Sequence, residues 1–242
     1  MSEFDEYRLR YEEEINSSIA FGGKSHDFYT KVKADVLVEI LRRLAPVRSL
    51  DVLDIGCGNG ALHPFLLSSG QPMTLTGIEV AAEFVAVARQ ANRDVTYDIY
   101  DGQRLPYDTG RFDAAFSVCV MHHVPPRHWP DFLAEMSRVV RPGGQVAVFE
   151  HNPFNPMTAH IVRTCPLDRS AVLLKPADLA KLMRGANLAS VACEFILFTP
   201  FENPRVRYLE RLIRWLPLGA QYVSFGQVPV AIAGGAAARL DE

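Results

Sequence analysis

The sequence predicts an α/β fold: a seven-stranded, mostly parallel, doubly wound sheet with helices on both faces, an N-terminal helical lid and an insertion after the fifth strand. Three observations predict it. From about Asp51, short apolar runs alternate with helical segments, the pattern of a parallel sheet buried on both faces. The first run leads straight into Gly56-Cys-Gly-Asn-Gly60, a glycine-rich turn that opens a helix. The 242 residues, 48% hydrophobic and 22% charged, can bury one sizeable core.

Residues 1–46 read as helical, and Val32, Val36, Leu37, Ile40, Leu41 and Leu44 recur at helical spacing until Pro46 stops the pattern. This segment is expected to be a separate helical part, and residues 47–230 the sheet domain. Strands are expected at Asp51–Ile55, Thr74–Val80, Val95–Tyr100, Phe112–Val120 and Gln145–Phe149, with helices near Ala61–Ser69, Ala81–Gln90 and His128–Val140. Arg141-Pro-Gly-Gly144 reads as a turn before the fifth strand. Residues 151–175, beginning His151-Asn-Pro-Phe-Asn-Pro156, read as an irregular insertion, because proline removes ladder donors. A helix over Pro176–Gly185 and a strand over Ala189–Phe198 restore the alternation. A second insertion, 200–217, contains an amphipathic helix in which Val206, Leu209, Leu212, Ile213 and Leu216 oppose Arg205, Arg207, Arg211 and Arg214. That helix reads first as a surface helix packed on the domain, and second as a peripheral membrane or anionic-substrate contact. Gln221–Gln227 is the expected last strand, and the weakly patterned tail, 231–242, is expected to be disordered.

Composition narrows the partners. A formal net charge of -3 gives no general attraction to phosphate backbones, so no nucleic acid partner is expected. The acidic start, Met-Ser-Glu-Phe-Asp-Glu, lacks a secretory apolar run, and no stretch approaches the ~18 apolar residues of a membrane span, so a cytoplasmic location is expected. Cys57, Cys119, Cys165 and Cys193 form no C-x-x-C pair and suggest neither disulfides nor zinc.

The chemistry centres on Asp51-Val-Leu-Asp-Ile-Gly-Cys-Gly-Asn-Gly60. Gly56, Gly58 and Gly60 let a ligand lie against bare main-chain N–H groups at a helix start. Gly56-x-Gly58-x-x-Ala61 also fits a dinucleotide fingerprint, and Glu79, ending the second strand, suits the ribose of either ligand. Asp54 beside the loop would repel a pyrophosphate and attract a sulfonium or ammonium, and Asp101, followed by Gly102, adds a carboxylate near an adenine amino group. These acids favour a cationic nucleoside without phosphates.

Five segments in order, Val52–Gly60, Glu79, Asp101-Gly-Gln-Arg-Leu-Pro-Tyr107, Phe112–Val124 and Arg138-Val-Val-Arg-Pro-Gly-Gly144, resemble the class I S-adenosylmethionine-dependent methyltransferases. The resemblance spans about residues 50–151. It implies that Gly56, Cys57 and Gly58 line the methionine moiety with Asp54 near its amino group, that Glu79 holds the ribose, that Asp101 and Gly102 meet the adenine, and that Cys119 lines the methionine side. Tyr11 and Phe21 of the lid would cover the cofactor, and Tyr29 the substrate. The helix within 200–217 departs from the family's minimal final hairpin.

Methyl transfer from a sulfonium is an in-line displacement, so positioning supplies most of the catalysis. A base is needed only for a protonated acceptor. His122 and His123, at the carboxyl edge of the sheet, are the candidates, while His151 and Asn152 should overhang the same cleft as substrate contacts. No metal is expected, since adjacent histidines do not readily converge on one ion. The expected activity is methylation of a small molecule such as a natural product, sugar or lipid-linked intermediate. A nicotinamide-dependent oxidoreductase and a non-catalytic cofactor-binding protein are the alternatives, and S-adenosylhomocysteine against NAD in a thermal-shift assay separates them.

Overall fold

A computed structural model describes residues 26–44, 48–165, 168 and 171–230. Tyr11, Phe21 and the 231–242 tail therefore lie outside the described residues.

The first described helix, α1 (His26–Arg42), buries Ala34, Leu37, Val38 and Leu41, which share one face by their helical spacing. Then come β1 (Leu50–Ile55), α2 (His63–Leu67), β2 (Met73–Glu79), α3 (Ala82–Ala91), β3 (Thr96–Ile99) and β4 (Phe112–Val118). They are followed by α4 (Trp129–Val139), β5 (Val140–His151), α5 (Pro156–Thr164), α6 (Pro176–Gly185), β6 (Ala189–Ile196), α7 (Pro204–Leu212) and β7 (Gln221–Gln227). The sheet order is β3-β2-β1-β4-β5-β7-β6. Strands β1 to β5 pair in parallel, and β7 runs antiparallel to both its neighbours. The seven-stranded, mostly parallel, two-faced sheet is thus the one the sequence predicts.

Alternation along each strand divides the core. Leu50 and Val52 join α1, α2 and α3 on one face, while Leu53 and Ile55 join α4 and α6 on the other. In β4 this parity fails once: Phe112 faces the side opposite Ala114 and Phe116, because the β4–β5 register shifts between Phe112 and Ala114. The Arg141–Gly144 segment, expected as a turn outside the strand, is the other half of that irregularity. Val140 pairs with Phe112 and Gln145 with Ala114, so the four residues bulge out within β5. Gly144 belongs there because a Cβ would lie 2.4 Å from the Asp113 carbonyl.

Two further expectations are corrected. The 151–175 segment contains a regular helix, α5, with Pro156 at its first turn and the Asn155 side chain accepting from the Met157 and Thr158 N–H groups. Proline excluded a strand there and instead started a helix. The amphipathic helix α7 ends at Leu212, before the Ile213 and Leu216 counted in it, and it turns its apolar side outward. Its charged side faces the body: Glu210 is buried, Arg207 pairs with Glu210, and Arg211 and Arg214 pair with Glu39 of α1. Tyr208, Leu209 and Leu212, with Trp215 and Leu218 beyond, are each more than half exposed. Among the described residues no helix is long and apolar enough to cross a membrane.

Candidate active site

β1 and β4 are neighbours from which the chain winds outward in opposite directions, and a crevice opens beyond their carboxyl ends. The glycine loop sits there. Gly56, Gly58 and Gly60 have φ of 74°, 53° and 72°, a region that disfavours any side chain. A Cβ on Gly56 would strike Val120 at 2.5 Å and one on Gly60 the Tyr97 hydroxyl at 2.5 Å, whereas one on Gly58 would meet nothing within 4 Å. The first and third glycines are required by packing. Gly58 alone borders open space, where a ligand can reach the backbone.

Glu79, at the end of β2, has one carboxylate oxygen on the Gly58 N–H at 3.0 Å and the other on the Val80 and Ala81 N–H groups at 2.7 and 3.2 Å. The acid is held rigidly beside the loop. Val80, next to it, is exposed, an apolar surface at the position a nucleoside base would need. Asp54 is almost fully buried and accepts from His63 Nε2 at 3.0 Å. His63 Nδ1 lies 2.6 Å from the Tyr97 hydroxyl, which also accepts from Asn92 Nδ2 at 3.0 Å. In this relay the tyrosine donates to Nδ1 and the imidazole donates to Asp54. Burial pushes the Asp54 carboxyl up, against the lowering by His63. A cationic ligand beside it would therefore favour the ionised form.

Asp101 is exposed, and its Oδ1 caps the Gln103 and Arg104 N–H groups at 2.9 and 3.3 Å, which hold its carboxyl below the usual range. Gly102, with φ of 80°, makes that turn. Cys57 is half-buried against β2, and burial pushes its thiol up strongly. The loop residues, Glu79, Asp101 and Gly102 thus lie along the ends of β1, β2 and β3, and the donor set suits a nucleoside that carries positive charge.

A second cluster lies at the ends of β4 and β5. Cys119, a non-glycine residue at φ 58°, turns the chain out of β4, and Gln221 Nε2 at 3.4 Å donates to its thiol. His122 is buried, with Nδ1 2.6 Å from Glu150 Oε2 and Nε2 3.5 Å from Asp168 Oδ1. His123 Nε2 also lies 3.5 Å from Asp168 Oδ1, and the two rings are 4.1 Å apart. Burial opposes charge on His122, but Glu150 and Asp168 push it up to about 10. Burial and the neighbouring His122 push His151 down to about 4, and the same two causes lower His123.

Of the residues nominated as substrate contacts, His151 joins this cluster, its ring 5.1 Å from that of His122. Asn152 does not. It is fully buried, its amide donates to the Pro217 and Gly219 carbonyls at 3.1 and 2.8 Å, and its oxygen accepts from Phe154 N. Its amide NH₂ thus holds the approach to β7. Tyr29, on α1, packs edge-on against Phe28 at the margin of the core. The sequence reading overlooked Glu150 and Asp168. Glu150 had a signal, a carboxylate closing the apolar run Val-Ala-Val-Phe. Asp168 had none: it reaches the cluster because the Val172 N–H bonds the His122 carbonyl at 2.9 Å.

The strand order, with β7 antiparallel among the described strands, and a glycine loop facing an acid at the end of β2 resemble the fold of the class I S-adenosylmethionine-dependent methyltransferases, and they fit S-adenosylmethionine as the cofactor. Residues 52–144 match the family model described as a methyltransferase domain. Among curated relatives, it is 33% identical over 120 residues to 27-O-demethylrifamycin SV methyltransferase of Amycolatopsis mediterranei, covering 46% of this chain and 43% of that one. It is 31% identical over 111 residues to a fatty-acid O-methyltransferase of Mycolicibacterium smegmatis, covering 45% and 40%. The matched segment thus spans about two fifths of these relatives. A solved S-adenosylmethionine-dependent methyltransferase from Thermotoga maritima superposes with a TM-score of 0.66 at 19% identity, over 94% of this chain and all of that one, a likeness of fold.

Proposed function

We propose that the protein transfers a methyl group from S-adenosylmethionine to a small, largely apolar acceptor bearing a hydroxyl. One observation carries the reading: Gly58, at positive φ and open to the crevice, faces the rigid Glu79 carboxylate beside the buried Asp54. When bound, the cofactor supplies an electrophilic methyl carbon. Gly56 to Gly58 and Asp54 would hold its amino-acid end, Glu79 its ribose, and Val80, Asp101 and Gly102 its base. For the ribose to pair with Glu79, the carboxylate oxygen now on Gly58 N–H has to share its second lone pair.

The acceptor belongs at the ends of β4 and β5. There His122 sits charged between Glu150 and Asp168, while His123, exposed and neutral, can take the acceptor's proton. Asp168 would stabilise the resulting charge. The apolar preference rests on Phe154, Met157 and Leu218, exposed side chains on that edge, where Asn155 Nδ2 holds the Leu218 carbonyl at 2.9 Å. The exposed apolar side of α7 would rest against lipid, so a lipid-linked acceptor is favoured over a sugar. The named fatty-acid O-methyltransferase relative points the same way.

Two measurements test the reading. Calorimetry should give heat with S-adenosylhomocysteine and none with NAD; the reverse refutes it. Labelled S-adenosylmethionine should then methylate hydroxylated long-chain or polyketide-like acceptors, and a protein that binds the cofactor yet methylates none of a broad acceptor panel is not this enzyme.

A further inference from the structure

The gap enclosed by His122, His123 and Asp168 has the dimensions of a coordination site. The geometry points to these three residues binding one divalent transition-metal ion of the zinc, cobalt or manganese class, through His122 Nε2, His123 Nε2 and Asp168 Oδ1. The inference needs only these side chains and stands whether or not the chain transfers methyl groups.

Three observations support it. The three ligand atoms lie within 4.8 Å of one another, and each imidazole nitrogen is 3.5 Å from the same carboxylate oxygen. That separation is long for a hydrogen bond. It matches a tetrahedral set, where metal bonds of about 2.0–2.2 Å put neighbouring ligand atoms roughly 3.3–3.6 Å apart. Adjacent histidines were expected to diverge, but the 3-10 turn Met121–His123 brings the two rings to 4.1 Å, inclined at 52°, with both Nε2 atoms 3.5 Å from one oxygen. Finally, Glu150, itself wholly buried, holds His122 Nδ1 at 2.6 Å and leaves Nε2 as the outward atom. A carboxylate behind a ligating imidazole is how protein metal sites fix ring and tautomer.

The ligands also differ in access. His122 is sealed in the core, but His123 is 43% and Asp168 14% exposed, so an ion enters from the crevice side and keeps at least one position open there. That position faces the acceptor edge. Binding the ion would require His122 to release its Nε2 proton and would make His123 a ligand instead of a proton acceptor, while the ion would supply Lewis acidity at the open position.

The test uses full-length, tag-free protein stripped with chelator and titrated with Co²⁺, whose visible spectrum reports both geometry and ligand type. One equivalent should bind with the strong bands of a four- or five-coordinate nitrogen and oxygen site and no thiolate charge-transfer band. His123→Ala and Asp168→Asn, chosen because neither residue is sealed in the core, should each weaken binding at least tenfold while thermal melts show them folded. Glu150→Gln should weaken it ~10- to 100-fold. No uptake, an unchanged affinity in the His123/Asp168 double variant, or a thiolate band that places the ion on Cys119 would overturn the inference. None of these outcomes depends on S-adenosylhomocysteine binding, measured separately.

Discussion

Replacing Tyr97 by Phe removes one oxygen atom from the relay that supports the glycine loop, and its cost can be worked out from the structure. Tyr97 is 3% exposed, and its hydroxyl joins His63 Nδ1 at 2.6 Å to Asn92 Nδ2 at 3.0 Å. Asn92 keeps a second acceptor, the Gly60 carbonyl at 3.2 Å, but His63, 0% exposed, is left with an unpaired ring nitrogen. An unsatisfied buried polar group costs about 1–3 kcal/mol, and the lost Asn92 bond adds a fraction of that, so the central expectation is about 2 kcal/mol. For a domain of this size that lowers Tm by roughly 4–8 °C. The affinity for S-adenosylhomocysteine should fall by less than tenfold, because Asp54 retains its bond to His63 Nε2. Scanning calorimetry and titration calorimetry read the two effects. A Tm within 1 °C of the parent protein would mean that the relay carries no net stability, and the argument from buried polar pairing would fail at this site.

Three further expectations follow from other parts of the molecule. Gly58→Ala places a Cβ at φ 53° in open space, so it should cost only about 1–2 kcal/mol of stability yet weaken S-adenosylhomocysteine binding more than tenfold; preserved affinity would show that the ligand does not lie on this residue. Asp113, buried at the opposite end of the sheet, is held by Arg48, by Arg141 at 3.1 Å and by the Asp51 N–H at 2.9 Å. Burial raises its carboxyl pKa, but the hydrogen bond from Arg48 and the other partners outweigh this and hold it below the usual range. A depressed folded pKa gives stability that is present above the unfolded value of ~3.9 and lost as pH falls through the folded one. Asp113→Asn should therefore cost about 1–3 kcal/mol at pH 7, and the difference should shrink below about pH 4 in urea melts; a gap constant to pH 2 would refute the assignment. Trp215→Glu changes a side chain that is 73% exposed, so Tm should move by less than 2 °C, while co-sedimentation with phospholipid vesicles should drop severalfold. Undiminished sedimentation would remove the lipid-facing role of α7.

The positions of the strands and the glycine loop were legible because each depends on local signals. Strand periodicity, glycines at a strand-to-helix turn and an acid ending the next strand are all written within a few residues of one another, and α6 and β7 begin and end where those signals place them. Two features were not legible, each for its own reason. The orientation of α7 depends on Glu39, some 170 positions away, whose ion pairs turn the charged side inward; the helix alone shows two faces and not which is buried. Asn152 looked like a cleft residue because it follows β5, but carbonyls of the 217–219 segment claim its amide.

What the amino-acid order determined by itself was the class of fold and the place where a nucleoside cofactor belongs, since backbone conformation at glycine and the periodicity of burial are short-range properties. Only the tertiary structure decided the second cluster. Glu150, His122, His123 and Asp168 come from a strand end, a 3-10 turn and the segment after α5, and their shared charge and spacing exist once packing brings those three pieces together.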